Sequence, residues 1–253
     1  MKGTALVLLD LQARRRRIAL LVAFAFVFFA AAVVARVAGG HEGHVEFDRL
    51  FQIGGYPLIS GMLLIGWLLG RFGMIAAFVM LAGVCSSDRA DGTARLLQAR
   101  PGSPVTIYLA RFFARALVAF VIAALLMPLF DFVMLGRWAG PMTFALIGTY
   151  VLLFGALTFL LSVWTRADAW IAVLLSMLAM VWYSLRRGDL LAGVAPGLRE
   201  IITVLLPPHG AILEIEQAYA QELAMPWDAA MIVLVYAALA LLLGCVGLTR
   251  REV

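Results

Sequence analysis

Ser86-Ser87-Asp88-Arg89-Ala90-Asp91-Gly92-Thr93-Ala94-Arg95-Leu96-Leu97-Gln98-Ala99-Arg100-Pro101-Gly102-Ser103-Pro104 is the longest polar interruption in the first two thirds of an otherwise oily chain. Ser86, Ser87 or Asp88 can cap a helix start, and acids at 88 and 91 suit a first turn. Pro101-Gly102 is a stop signal at the far end. The spacing predicts a helix of about 13 residues, roughly 20 Å long at 1.5 Å per residue. Its charges place it in water, between two membrane spans. Gly92 is the odd residue, since glycine inside a helix costs about 1 kcal/mol against alanine. Close approach of another surface is the expected compensation.

Composition puts the rest of the chain in a bilayer. Hydrophobic residues make up 64% of the 253 and charged residues 14%, against about 25% charged in soluble proteins. The net charge of +5 would point to nucleic acid in a soluble protein, but basic inner loops of a membrane protein produce the same value. Lys2 is the only lysine. A phosphate-binding loop needs a lysine after a glycine-rich turn, so the chain cannot be a P-loop ATPase by itself. Cys85 and Cys245 end apolar runs and form neither a disulfide framework nor a metal site.

The expected fold is an all-α membrane protein with six transmembrane helices, a single transmembrane domain over 1–253. Residues 1–17 interleave apolar positions with Asp10 and Gln12 and end in Arg14-Arg15-Arg16-Arg17. They read as an interfacial helix whose arginines meet anionic headgroups. The first span is Ile18 to Ala35, close to the roughly 20 residues needed to cross. His41, Glu42 and His44 lack the spacing of a zinc helix and read as a solvated outer loop; no metal is expected. Pro57 to Val84 is a long apolar segment broken by Gly70-Arg71-Phe72-Gly73, which allows one span or a returning hairpin. With one span, 13 of the 20 basic residues fall on one side and six on the other, in keeping with the positive-inside rule; one span is therefore expected.

Span three is expected over Tyr108–Phe130, with Arg111 and Arg115 as inner anchors, followed by an outer turn from Asp131 to Gly140. Spans four and five follow over Pro141–Trp164 and Ala169–Leu185. Residues 190–228 cannot span; they read as two short helices joined at Pro207-Pro208, either re-entrant in the outer leaflet or a plain outer loop. Span six is Ala229 to Leu248, which leaves both termini cytoplasmic.

The polar stretch carries a family resemblance. Asp88, Arg89, Gly92, Thr93, Leu96, Leu97 and Pro101 resemble the signature of type-two ATP-binding-cassette exporter permeases, although that family usually has Glu in place of Asp88. The resemblance implies that residues 86–104 are a coupling helix docking on a separate ATPase subunit, through Asp88, Arg89, Asp91, Gly92, Thr93, Arg95, Leu96, Leu97 and Pro101. It also implies re-entrant outer helices before span six, a homodimer or heterodimer of permeases around a substrate path, and a bacterial-type cytoplasmic (inner) membrane. ATP and Mg2+ would belong to the partner, with no cofactor in this chain.

Three function classes stay open: the membrane half of an ATP-driven exporter, a non-transporting anchor or assembly subunit, and an intramembrane enzyme. No catalytic constellation and no nucleic-acid patch is present in the sequence. Arg71 is the candidate path residue. An arginine in mid-span costs at least about 2.5–3.5 kcal/mol on insertion scales and usually faces a bundle interior. Two readings compete: it lines a path, attracting an anionic group or pairing with an acid such as Asp131, or it snorkels to headgroups.

Overall fold

A computed structural model describes residues 9–39, 52–53, 56–57, 70–92, 103–135, 140–191 and 193–251. Among the described residues the fold is helical apart from one minimal antiparallel pairing, β1 (Gln52–Ile53) with β2 (Tyr56–Pro57). The helices are α1 (Arg15–Gly39), α2 (Phe72–Leu81), α3 (Ser86–Ala90), α4 (Pro104–Leu135), α5 (Met142–Trp164), α6 (Asp168–Arg187), α7 (Pro196–Leu205), α8 (His209–Ala220) and α9 (Trp227–Arg251). Among the described residues five stretches are long and apolar enough to cross a membrane: Phe72–Ala90, Pro104–Phe132, Met142–Trp164, Asp168–Arg187 and Trp227–Arg250. The chain thus has the character of a multi-pass membrane protein.

The bundle is arranged around α5, on which α2, α4, α6, α8 and α9 all pack. Its sequence explains the position. It contains no charged residue, and its buried hydroxyls are all bonded, three of them within the helix and those of Thr143 and Tyr150 to acids on α4 and α8. Thr149 donates to the Ala145 carbonyl (2.8 Å), Thr158 to Phe154 (2.7 Å) and Ser162 to Phe159 (2.8 Å). With no polar group left over, every face of α5 can be covered. Aromatic edges lock it to its neighbours: Phe154 meets Phe78 of α2 at 5.3 Å and Phe159 meets Phe112 of α4 at 5.4 Å. By contrast α6 leaves Trp170, Leu174, Met177, Leu178 and Val181 exposed. So much outward apolar surface suits hydrocarbon and not water.

Several boundaries differ from the sequence reading. Arg71 does not sit in mid-helix: it is the residue before α2, with φ −115° and ψ 22°, and residues 58–69 of the expected second span lie outside the described residues. The expected outer turn from Asp131 is helix as far as Leu135, because Asp131 has polar partners on other helices and can stay buried. At the N-terminus residues 9–13 are helical, Arg14 is in a turn and residues 1–8 lie outside the description. The arginine run also divides. Arg15 and Arg16 are exposed while Arg14 and Arg17 turn inward, since a spacing of three puts those two on one helix face.

Against α5, helix α9 comes close enough to need glycine. A Cβ at Gly244 would lie 2.8 Å from two carbons of the Phe159 ring, and small residues are how membrane helices achieve such approach. Gly244→Ala should therefore lower the stability of the detergent-solubilised protein by about 1–3 kcal/mol, the usual cost of overpacking. Gly197→Ala, in α7 where nothing lies within 4 Å, should leave stability unchanged or raise it by up to about 1 kcal/mol. Thermal unfolding of the two variants side by side checks the contrast; equal midpoints would mean that α9 does not pack this way.

Candidate functional site

Two polar clusters occupy opposite ends of the bundle. The first gathers where α2 ends, α4 begins, α5 ends and α6 begins. Helix C-termini leave carbonyls without intrahelical donors, and here arginines from other elements supply them. Arg14 donates to the carbonyls of Ala82 (3.0 Å) and Gly83 (2.9 Å) and to Ser87 Oγ (3.1 Å), and Arg17 donates to Ala82 (2.7 Å). Arg89 does the same for α5, donating to the carbonyls of Val163 (2.6 Å), Thr165 (3.3 Å) and Ser162. Asp168, at the start of α6, accepts from the Gly83 amide (2.7 Å) and Ser86 Oγ (3.0 Å). Arg111 pairs with Asp88, and Arg115, fully buried, grips both oxygens of Asp10 at 2.7 and 2.5 Å. The lattice thus joins residues 10–17, 82–89, α4, α5 and α6.

Burial alone would raise the Asp10 carboxyl, but the bond and charge of Arg115, with Arg14 and Arg111 nearby, hold it below the usual carboxylate value. Burial, with Arg115 and Arg17 close, lowers Arg14 to about 10.

This geometry changes the role of the expected coupling residues. Asp88 and Arg89 are turned into the bundle and bound to Arg111 and the α5 carbonyls. Only Asp91 and Gly92 are exposed among the described members of the set. Thr93, Arg95, Leu96, Leu97 and Pro101 lie outside the described residues. The expected helix is interrupted among the described residues: α3 has five, and a turn follows at Asp91-Gly92. Gly92 has φ +72° and open space around a would-be Cβ. The glycine serves a left-handed turn, not a close approach.

At the opposite end Arg71 meets Glu216 of α8, through Nε at 2.9 Å and Nη2 at 2.5 Å, and Tyr150 of α5 donates to the same carboxylate at 2.5 Å. The expected acid, Asp131, instead accepts from Thr143 (3.1 Å) and Tyr219. Sequence reasoning passed over Glu216, grouping it with the outward Glu214, Gln217 and Gln221. The available signal was helical spacing. Glu216 follows the buried Ile212 by four residues, which places it at the edge of the inward face. A cavity of about 280 Å³ adjoins the pair, bounded by α2, α5, α6 and α8. His209 lines it, with its ring edge-on to Tyr183 at 5.8 Å. Burial, then the charge of Arg71, pushes His209 below the ordinary imidazole value, against a smaller opposing effect of Glu216. No group of three or more metal-ligating side chains occurs among the described residues; His41, Glu42 and His44 lie outside them.

Two expectations follow. The side chains of Arg71 and Glu216 are 14% and 19% exposed. Arg71→Leu or Glu216→Leu alone should therefore destabilise by somewhat less than the roughly 3–5 kcal/mol lost when a fully buried pair is broken. The double variant should recover much of that loss, and a thermal-unfolding double-mutant cycle with additive losses would refute the coupling. The Asp10 interaction stabilises fully above the unfolded carboxyl value of about 3.9 and is lost as pH falls through the lower folded value. Asp10→Asn should thus be less stable than wild type near neutral pH, with the gap closing below about pH 4. A gap that stays constant in unfolding midpoints down to about pH 3 would remove the linkage.

A family model described as protein of unknown function (DUF2705) matches residues 28–253. No curated protein and no solved structure matches the chain. The matching model is not that of the type-two ATP-binding-cassette exporter permeases, so the membership expected from Asp88, Arg89, Gly92 and their neighbours is corrected. The match covers all of the bundle from within α1 onward, and the chain belongs to the family described as protein of unknown function DUF2705.

Proposed function

We propose that the chain is the non-hydrolysing membrane subunit of an ATP-driven export machine, with the ATPase on a separate polypeptide. The observation that carries this reading is the arginine lattice. It ties the exposed turn at Asp91-Gly92 to the ends of α2, α4, α5 and α6, so a force applied at the turn reaches four helices through short charge-assisted bonds. A turn serving only as a connection between spans would need no such linkage. The single lysine, Lys2, supports placing ATP and Mg2+ in the partner. In this reading α1 is a sixth span and the arginine-rich end faces the cytoplasm of a bacterial-type inner membrane. Both termini lie on that side, and α7 and α8 lie in the outer leaflet. Two copies enclose a path, with the cavity beside Arg71 on its wall.

Purified alone in nanodiscs, the chain should hydrolyse no ATP. The ATPase that copurifies from its native host should change turnover when bound to it. Gly92→Trp should abolish that change while leaving insertion and the size-exclusion profile intact. With Cys85 and Cys245 replaced by alanine, a cysteine at position 214 should react with an impermeant maleimide added to intact cells, and one at 91 should not. ATP hydrolysis by the chain alone, or labelling of 91 but not 214, would overturn the reading.

A further inference from the structure

The Arg71 guanidinium is not available to capture an anion. Glu216 engages it through two nitrogens, and Tyr150 donates to the same carboxylate, so the polar end of the cavity carries matched charges. The rest of the wall is mostly apolar, with Phe78, Phe154 and Ile212 beside Met74, Met177 and Met180, and its one further hydroxyl, Ser176, already donates to the Ala172 carbonyl (2.7 Å). Unbranched thioethers adapt to irregular apolar shapes. His209 faces this space, and among the described residues its ring nitrogens have no hydrogen bond. A neutral imidazole presents one donor and one acceptor. At about 280 Å³ the cavity lies just below the roughly 300–1,000 Å³ typical of small-molecule sites. It suits one short apolar body and not a two-tailed lipid.

We propose that this cavity binds an uncharged, mainly apolar molecule ending in one hydrogen-bonding group, such as a hydroxyl or carbonyl, held by His209. Charge argues against the alternatives on both sides. A carboxylate entering here would be desolvated beside Glu216, and an ammonium beside Arg71, and neither would find an unmatched counter-charge. The neutral form of His209, favoured by burial and by Arg71, completes a site that recognises polarity without charge.

The proposal rests on the reading of this cavity as part of the substrate path. Its test uses the full chain in phosphatidylcholine nanodiscs, with no ATP and no partner, so a failure to bind and a failure to couple are separate results. The probes are photoreactive diazirine analogues of decanol, decanoate and decane, with labelled peptides read by mass spectrometry. The decanol analogue should label residues 168–187 and 209–220 about fivefold over the other two, the worth of one neutral hydrogen bond. Excess decanol should compete it away. His209→Phe should make the alcohol and alkane probes equal while both still label; His209→Gln, which keeps a neutral donor and acceptor, should preserve the preference. Three results would overturn the proposal: labelling by decanoate as strong as by decanol, cavity labelling no higher than on α9, or a preference that survives His209→Phe. Should that variant lose its size-exclusion profile, competition by decanol and the His209→Gln comparison decide alone.

Discussion

The last carbonyls of a helix have no partner of their own, and where they are buried in a bundle no water provides one. Arg89 meets that need for α5, donating to the carbonyls of Ser162, Val163 and Thr165. Because α2, α4, α6, α8 and α9 all pack on α5, the position of its end sets where the bundle closes. Arg14 and Arg17 do the same for the end of α2. A guanidinium carries five donors in a planar fork and can serve several carbonyls at once, which an ammonium does less well. That gives a physical use for a chain whose basic residues are all arginine except Lys2.

The two ends of the bundle handle charge in different ways. At the arginine-rich end, Arg14, Arg17, Arg89, Arg111 and Arg115 share a lattice with three acids among the described residues, Asp10, Asp88 and Asp168, and the excess is spread over backbone carbonyls. Such an arrangement resists local rearrangement, since moving one member strands another. At the other end Arg71 and Glu216 form a matched pair, and Asp131 is bound by the hydroxyls of Thr143 and Tyr219. There the charge is contained and the adjoining cavity is apolar. A lattice that transmits force at one end and a neutral cavity at the other are the two halves of the functional reading.

The described residues behind the family resemblance have local reasons to be what they are. Asp88 is needed by Arg111, Arg89 by the end of α5, and Gly92 by a backbone at φ +72°. These three residues thus have uses within this bundle that do not depend on membership of that permease family. The same residues show what was hidden. Periodicity around Ser86–Ala90 was legible as helix, but the helix stops after five residues because the glycine takes a left-handed conformation. Whether Asp88 and Arg89 face water or the bundle depended on where Arg111 and Val163 would lie.

The sequence by itself determined that the chain lives in a bilayer and where most apolar helices fall. Hydropathy is a local sum, and a charge in hydrocarbon is costly enough to mark the boundaries. It also determined that no P-loop can form. Tertiary structure alone decided the partners: Glu216 and not Asp131 for Arg71, Asp10 for Arg115, and Asp168 for the Gly83 amide. These pairs are separated by 85 to 145 residues. Their choice follows from which helix faces meet once α5 is enclosed, a geometric fact that no window along the chain contains.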